Sequence, residues 1–270
     1  MIKRVSIALA FLAFIAGSLA FARFSPLDEE DMRSAVFMET LSLPSAGEFF
    51  SAVDKRFEPN WTKLIRPTVP VATPLREHLA LQIGVLIADC HIAIEAQDGQ
   101  ATKNYGRDIL NLAKKLNVSQ NVLARGQNIS DLAEKGDWLT LREELDAMQN
   151  DIRLSMQEQN DYDLLVFLMI GSWVRQMEVA CDLLIQTPNP KASELLVQPE
   201  ILNHLLNRLQ GLPEKSRANP MAQTFLSRLQ TLQPHMAQES SQPLSETSVR
   251  DISVTITAIL NASSQPPPKP

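Results

Sequence analysis

Glycine is scarce in this chain, with nine in 270 residues, and runs that alternate β-branched with polar residues are nearly absent. Sheets and their tight turns draw on both, so a β-rich fold is excluded. Cysteine is scarcer still: Cys90 and Cys181 are too few to define a small disulfide-stapled scaffold. The C-x-x-C-H signature of covalent haem, the G-x-S-x-G nucleophile turn, the Walker A loop and the dinucleotide fingerprint are all missing. So are the paired Glu-x-x-His motifs of a carboxylate-bridged di-metal bundle. Basic stripes are lacking too, and the formal net charge is −6. That balance makes nucleic acid and anionic membrane poor partners. No segment repeats at a period of about 34 or 40 residues, which argues against a helical-repeat solenoid.

What is present begins with an export pattern. Lys3 and Arg4 precede an apolar core from Val5 to Ala16, and Ala20-Phe21-Ala22 forms an A-x-A cleavage site. Residues 1–22 are therefore expected to be a signal peptide cleaved after Ala22. Ser18-Leu19-Ala20 is a second cleavage pattern, and an uncleaved anchor is the alternative. Loss of Lys3 and Arg4 takes the formal charge from −6 to −8. Beyond the signal there is no second charge-free run of about 18 apolar residues, so no membrane insertion is expected after cleavage. The predicted location is periplasmic or secreted, where cysteines meet an oxidising compartment.

The remaining pattern predicts an all-α, multi-helix, mainly antiparallel bundle. N-terminal helices occupy 23–58, a Pro-rich linker 59–74, the helical bundle 75–262 and a disordered Pro-rich tail 263–270. Within 23–58 one helix starts near Leu27 and a second follows the capping box Ser45-x-x-Glu48. Pro59, Pro67, Pro70 and Pro74 forbid a continuous helix and predict an extended linker lying on the bundle surface. Tyr105, Ile109, Leu112 and Leu116 share one helical face, as do Trp138, Leu141, Leu145, Met148, Ile152 and Met156. Asn219 and Pro220 read as the cap and first residue of a later helix.

Two segments are apolar on every side, about 78–98 and 162–186. Helices of that kind need neighbours all round, so these two are expected at the centre. Gly99 is read as the stop of the first. Three helices separate the two, and if each reverses direction the central pair runs parallel. Gly84 and Gly171 sit at matching places in "LQIGVL" and "LMIGSW". Either they mark a close crossing, or each accommodates a different bulky neighbour.

A level crossing has consequences for the polar residues beyond it. Asp89 is five residues past Gly84 and Arg175 four past Gly171, a height difference of about 1.5 Å. Asp89 and Arg175 are thus the candidate buried ion pair or ligand contact. The alternative is a local arrangement in which Arg175 uses Glu178 and Asp182 on its own helix face. By the same register Cys90 and Cys181 stand about 6 Å apart along the axis. A disulfide between them would need a slip in register, because it requires Cα atoms within about 7 Å. Two buried free thiols are the other outcome.

Asp89, Cys90 and His91 are consecutive and point about 100° apart on a helix, so they do not converge on one atom. His91, Glu95 and Asp98 do share a face and form a weak candidate for metal ligation. The ordinary reading of that face is a polar edge where the helix leaves the core. With no converging acid, base and nucleophile, enzyme activity and a cofactor are not expected. The expected role is structural or adaptor-like in the bacterial cell envelope, with an envelope protein as possible partner. The alternative is a periplasmic small-molecule or metal-binding bundle whose ligand enters between the two central helices.

Overall fold

The computed structural model describes residues 45–67, 75–237 and 243–264. The expected signal peptide, the helix expected from Leu27 and residues 265–270 of the expected tail lie outside them. The described chain is all-α: α1 Ala46–Phe57, a 3-10 turn Trp61–Leu64, α2 Arg76–Glu95, α3 Gly99–Lys115, α4 Gln120–Lys135, α5 Trp138–Glu158, α6 Tyr162–Gln186, a 3-10 turn Ala192–Leu196, α7 Pro199–Gln210, α8 Glu214–Arg217, α9 Pro220–Met236 and α10 Glu246–Ser264. No strand occurs among the described residues.

Helix starts follow local chemistry. Ser45 accepts from the Glu48 amide at 3.1 Å while the Glu48 carboxylate accepts from the Ser45 amide at 2.8 Å, so the box that opens α1 is complete. Asn219 caps α9 by accepting from Met221 N at 2.9 Å, with Pro220 in the first turn. Pro199 starts α7, a position where its missing N–H costs nothing. On α5 the predicted stripe Leu141, Leu145, Met148, Ile152 and Met156 is buried, and Trp138 at its start is half-buried.

The helices α2 and α6 form the centre. Both are long and apolar enough to cross a membrane by composition alone, and 89% of each apolar window is buried inside the protein. Their residues pair in rising order: Arg76 with Asp161, the Gly84 level with Leu168 and Ser172, and Asp89 with Arg175. The two therefore run parallel. Between them, Lys103–Glu134 and Gly106–Ile129 set α3 against α4 in opposite directions, and Arg125–Asp151 and Asn128–Glu144 do so for α4 and α5.

The crossing of α2 and α6 is backbone on backbone. A Cβ on Gly84 would overlap the Leu168 carbonyl oxygen and stand 2.8 Å from Ser172 N. A Cβ on Gly171 would overlap the Leu81 carbonyl oxygen and stand 3.2 Å from Val85 N. Each glycine thus serves the other helix, and bulky side chains are not what they accommodate.

Two local expectations are corrected. Gly99 does not stop α2; Gln97 takes the left-handed conformation there at φ 55°, and Gly99 opens α3 with Asp98 as its cap, accepting from Ala101 N at 2.9 Å. The described part of the Pro-rich segment does lie at the surface, but it is not extended throughout: Trp61–Leu64 form the 3-10 turn, and Trp61 anchors it. Trp61 is buried, meets Phe50 edge-on with ring centroids 5.7 Å apart, and donates to Asp54 at 2.9 Å.

Candidate functional site

Four charged side chains close a ring beyond the glycine crossing. Arg175 on α6 donates from Nε to Asp89 Oδ1 at 2.6 Å and from Nη1 to Glu178 Oε2 at 2.8 Å. Arg66, which follows the first 3-10 turn, donates from Nε to Asp89 Oδ2 at 3.0 Å and from Nη1 to Glu178 Oε2 at 3.2 Å. Positive and negative groups alternate around the ring, and both oxygens of Asp89 hold a guanidinium N–H. The remaining Nη2 of Arg175 donates to the Leu64 carbonyl at 3.0 Å. Tyr105 on α3 accepts from Arg66 N at 3.3 Å and donates its hydroxyl to Arg66 O.

The inner half of this ring is dry. The Asp89 and Arg175 side chains are 3% and 4% exposed, whereas those of Glu178 and Arg66 are 19% and 35% exposed. Burial works to lower the Arg175 pKa, and the carboxylates of Asp89 and Glu178 more than offset it, so the guanidinium is held firmly charged. Burial, helped by the Asp89 charge, pushes the Tyr105 phenol up to about 12. Asp182 lies outside the hydrogen-bonded ring; burial first and the neighbouring Glu178 charge second raise its pKa. The two arrangements considered for Arg175 are therefore not alternatives, since one guanidinium serves Asp89 and Glu178 together.

Sequence reasoning missed Arg66 and Tyr105. Tyr105 was legible only as a core residue of α3, and Arg66 was hidden in a segment whose prolines suggested a surface path. The one available signal was Trp61, a large apolar residue among those prolines.

The cysteines are not bonded to each other. Cys90 Sγ points to the Thr102 carbonyl on α3 at 3.8 Å, so the disulfide considered between Cys90 and Cys181 does not form. Burial pushes both thiols far up, with Asp89 adding to the effect at Cys90 and Asp182 at Cys181, which leaves them poor nucleophiles and poor metal ligands. Thiol titration should find two reactive groups in the denatured, unreduced protein and essentially none in the native one. A denatured count of zero would restore the disulfide.

The face His91, Glu95 and Asp98 is taken apart by its neighbours. Glu95 accepts two bonds from Arg142 on α5, at 2.9 and 2.6 Å, and Asp98 caps α3. His91 is fully buried instead of marking a polar edge, with its Nε2 3.3 Å from Asp146 Oδ1 on α5. His91 with Asp146 and Glu95 with Arg142 make α2 and α5 antiparallel. Among the described residues no three of His, Cys, Asp and Glu converge to hold a metal ion.

Chemically the ring is closed on its buried side, at Asp89 and Arg175. Both Asp89 oxygens and all three Arg175 nitrogens are engaged, while Glu178 Oε1 and Arg66 Nη2 on the part-exposed side take no part, and the bonds tie α2, α6 and the 61–66 segment in one register. Comparison with family models, curated proteins and solved structures finds no match for the chain.

Proposed function

We propose that this chain is a non-catalytic helical-bundle protein of the bacterial cell envelope, exported by its N-terminal segment, with a structural or adaptor role toward a protein partner. The observation that carries the reading is the Asp89–Arg175–Glu178–Arg66 ring, whose buried half, Asp89 with Arg175, is wholly engaged in internal register. The backbone contact at Gly84 and Gly171 leaves no width for a ligand between α2 and α6 at that level. A small-molecule role finds its support elsewhere, in a cleft lined by Leu184, Ile185, Leu244 and Val249 with Glu246 and Arg250 among its residues.

Fractionation of the native host, followed by in-cell cross-linking and affinity purification, tests the proposal. The expected result is an envelope fraction in which the chain starts at Arg23 and carries one stoichiometric protein partner. Recovery in the cytoplasm with Met1 intact would overturn the export reading. Recovery as an unpartnered chain that gains thermal stability from a small apolar solute would favour the ligand-binding alternative.

A further inference from the structure

The buried contact between α1, α2 and α5 holds polar atoms that nothing yet described uses. His91 is completely enclosed, and a methyl group on Gly47 of α1 would stand 3.0 Å from its Cε1 and 3.3 Å from both its Nδ1 and Asp146 Oδ2. Its Nε2 lies 3.3 Å from Asp146 Oδ1. Yet His91 Nδ1, His91 Nε2, Asp146 Oδ1 and Gln149 Oε1 are all shielded from solvent without a hydrogen-bond partner among the described residues. Gln149 lies three residues after Asp146, one turn along α5 on the same face.

Buried polar atoms without partners call for a bound species, and their chemistry says which. Carboxylate and amide oxygens offer only lone pairs, and a neutral imidazole offers one lone pair beside its single N–H. His91 Nε2 and Asp146 Oδ1 face each other at 3.3 Å without a hydrogen bond between them. A shared cation satisfies both. Metal–ligand distances of about 2.1 Å, spanning a donor separation of 3.3 Å, give an angle of about 104°, close to tetrahedral. The charge also suits a cation, because Glu95 is neutralised by Arg142 while Asp146 has no such partner in the contact. Imidazole nitrogen with oxygen donors suits zinc among the first-row divalent ions.

We propose that His91 Nε2 and Asp146 Oδ1, joined by the Gln149 amide oxygen, form a binding site for one divalent transition-metal ion. The third donor is an amide, which is why no triad of His, Cys, Asp and Glu marks the place. The ion would tie α2 to α5 under the N-terminal turn of α1, whose Gly47 leaves space for the imidazole.

The test is calorimetric titration of chelator-treated full-length protein with zinc chloride, alongside cobalt(II) absorption as a spectroscopic report of the donor set. One zinc per chain, a raised melting temperature and tetrahedral cobalt bands are expected. Asp146→Asn, at a side chain that is 37% exposed, keeps the helix and should weaken zinc binding more than about tenfold while abolishing the cobalt bands. Gln149→Leu should weaken it less. Absence of one-to-one binding would overturn the proposal, as would zinc binding that Asp146→Asn leaves unchanged in a protein whose helical content matches the parent.

Discussion

Alanine at Gly84 is expected to be among the most damaging single-methyl substitutions in this protein, with Gly171→Ala beside it. On an exposed helix the same change would gain about 1 kcal/mol from propensity. Here the added Cβ would overlap the Leu168 carbonyl oxygen at one position and the Leu81 carbonyl oxygen at the other. A backbone oxygen has no rotamer to escape into, so α2 and α6 must separate along their whole buried contact. Overpacking a close-packed core costs typically about 1–3 kcal/mol, and the upper end is expected where backbone is what must move. Urea unfolding followed by circular dichroism measures the loss, with Gly106→Ala as the control, since a Cβ there meets only Ile129 Cγ2 at 3.3 Å. That control should stay within about 1 kcal/mol of the parent. A loss equally small at Gly84 would show that the two central helices can part cheaply, contrary to the packing described.

Arg175→Met is the second large effect. It deletes the donors to Asp89, Glu178 and the Leu64 carbonyl together, while leaving Asp89 buried with Arg66 as its remaining ring partner. Breaking one side of a buried pair costs about 3–5 kcal/mol, chiefly because the surviving charge is left in a dry site. Replacing both sides removes that penalty, so Asp89→Leu combined with Arg175→Met should recover at least about 2 kcal/mol over the sum of the single losses. Arg66, part-exposed, can turn its guanidinium to solvent when Asp89 is gone. Strictly additive losses would mean the two residues are not energetically coupled.

How far the sequence reveals this structure depends on whether a residue's environment is made locally. The boundaries of α6, Tyr162–Gln186, follow from an unbroken apolar pattern ended by Thr187 and Pro188, and the stripe on α5 follows from its period. The central pair was legible for a similar reason: all-round apolarity demands enclosure, and matched glycines on two such helices invite contact. Asp89 and Arg175 followed from that register.

What stayed hidden was made by distant chain. Proline predicts the absence of a helix but says nothing about burial, so the segment that brings Trp61 into the core and Arg66 onto the ring looked like surface. His91 looked like the end of the buried stretch because its own helix soon ends. The covering comes from Gly47, on another helix far upstream, and from Asp146, far downstream. Gln97 was missed for a different reason, since a left-handed residue that is not glycine leaves little trace in composition.

The parallel pairing of α2 and α6 also sets a schedule for assembly. Asp89 and Arg175 are separated by 86 residues, and the intervening hairpins can form before α6 has been made. During that interval the side of α2 that α6 will cover carries a carboxylate with Arg66 alone to pair it, a bare glycine and a long apolar stripe. Closing so wide a loop is entropically slow. The stretch of synthesis between the completion of α5 and the arrival of Gly171 therefore leaves the apolar face of α2 uncovered, the condition under which partly made chains aggregate.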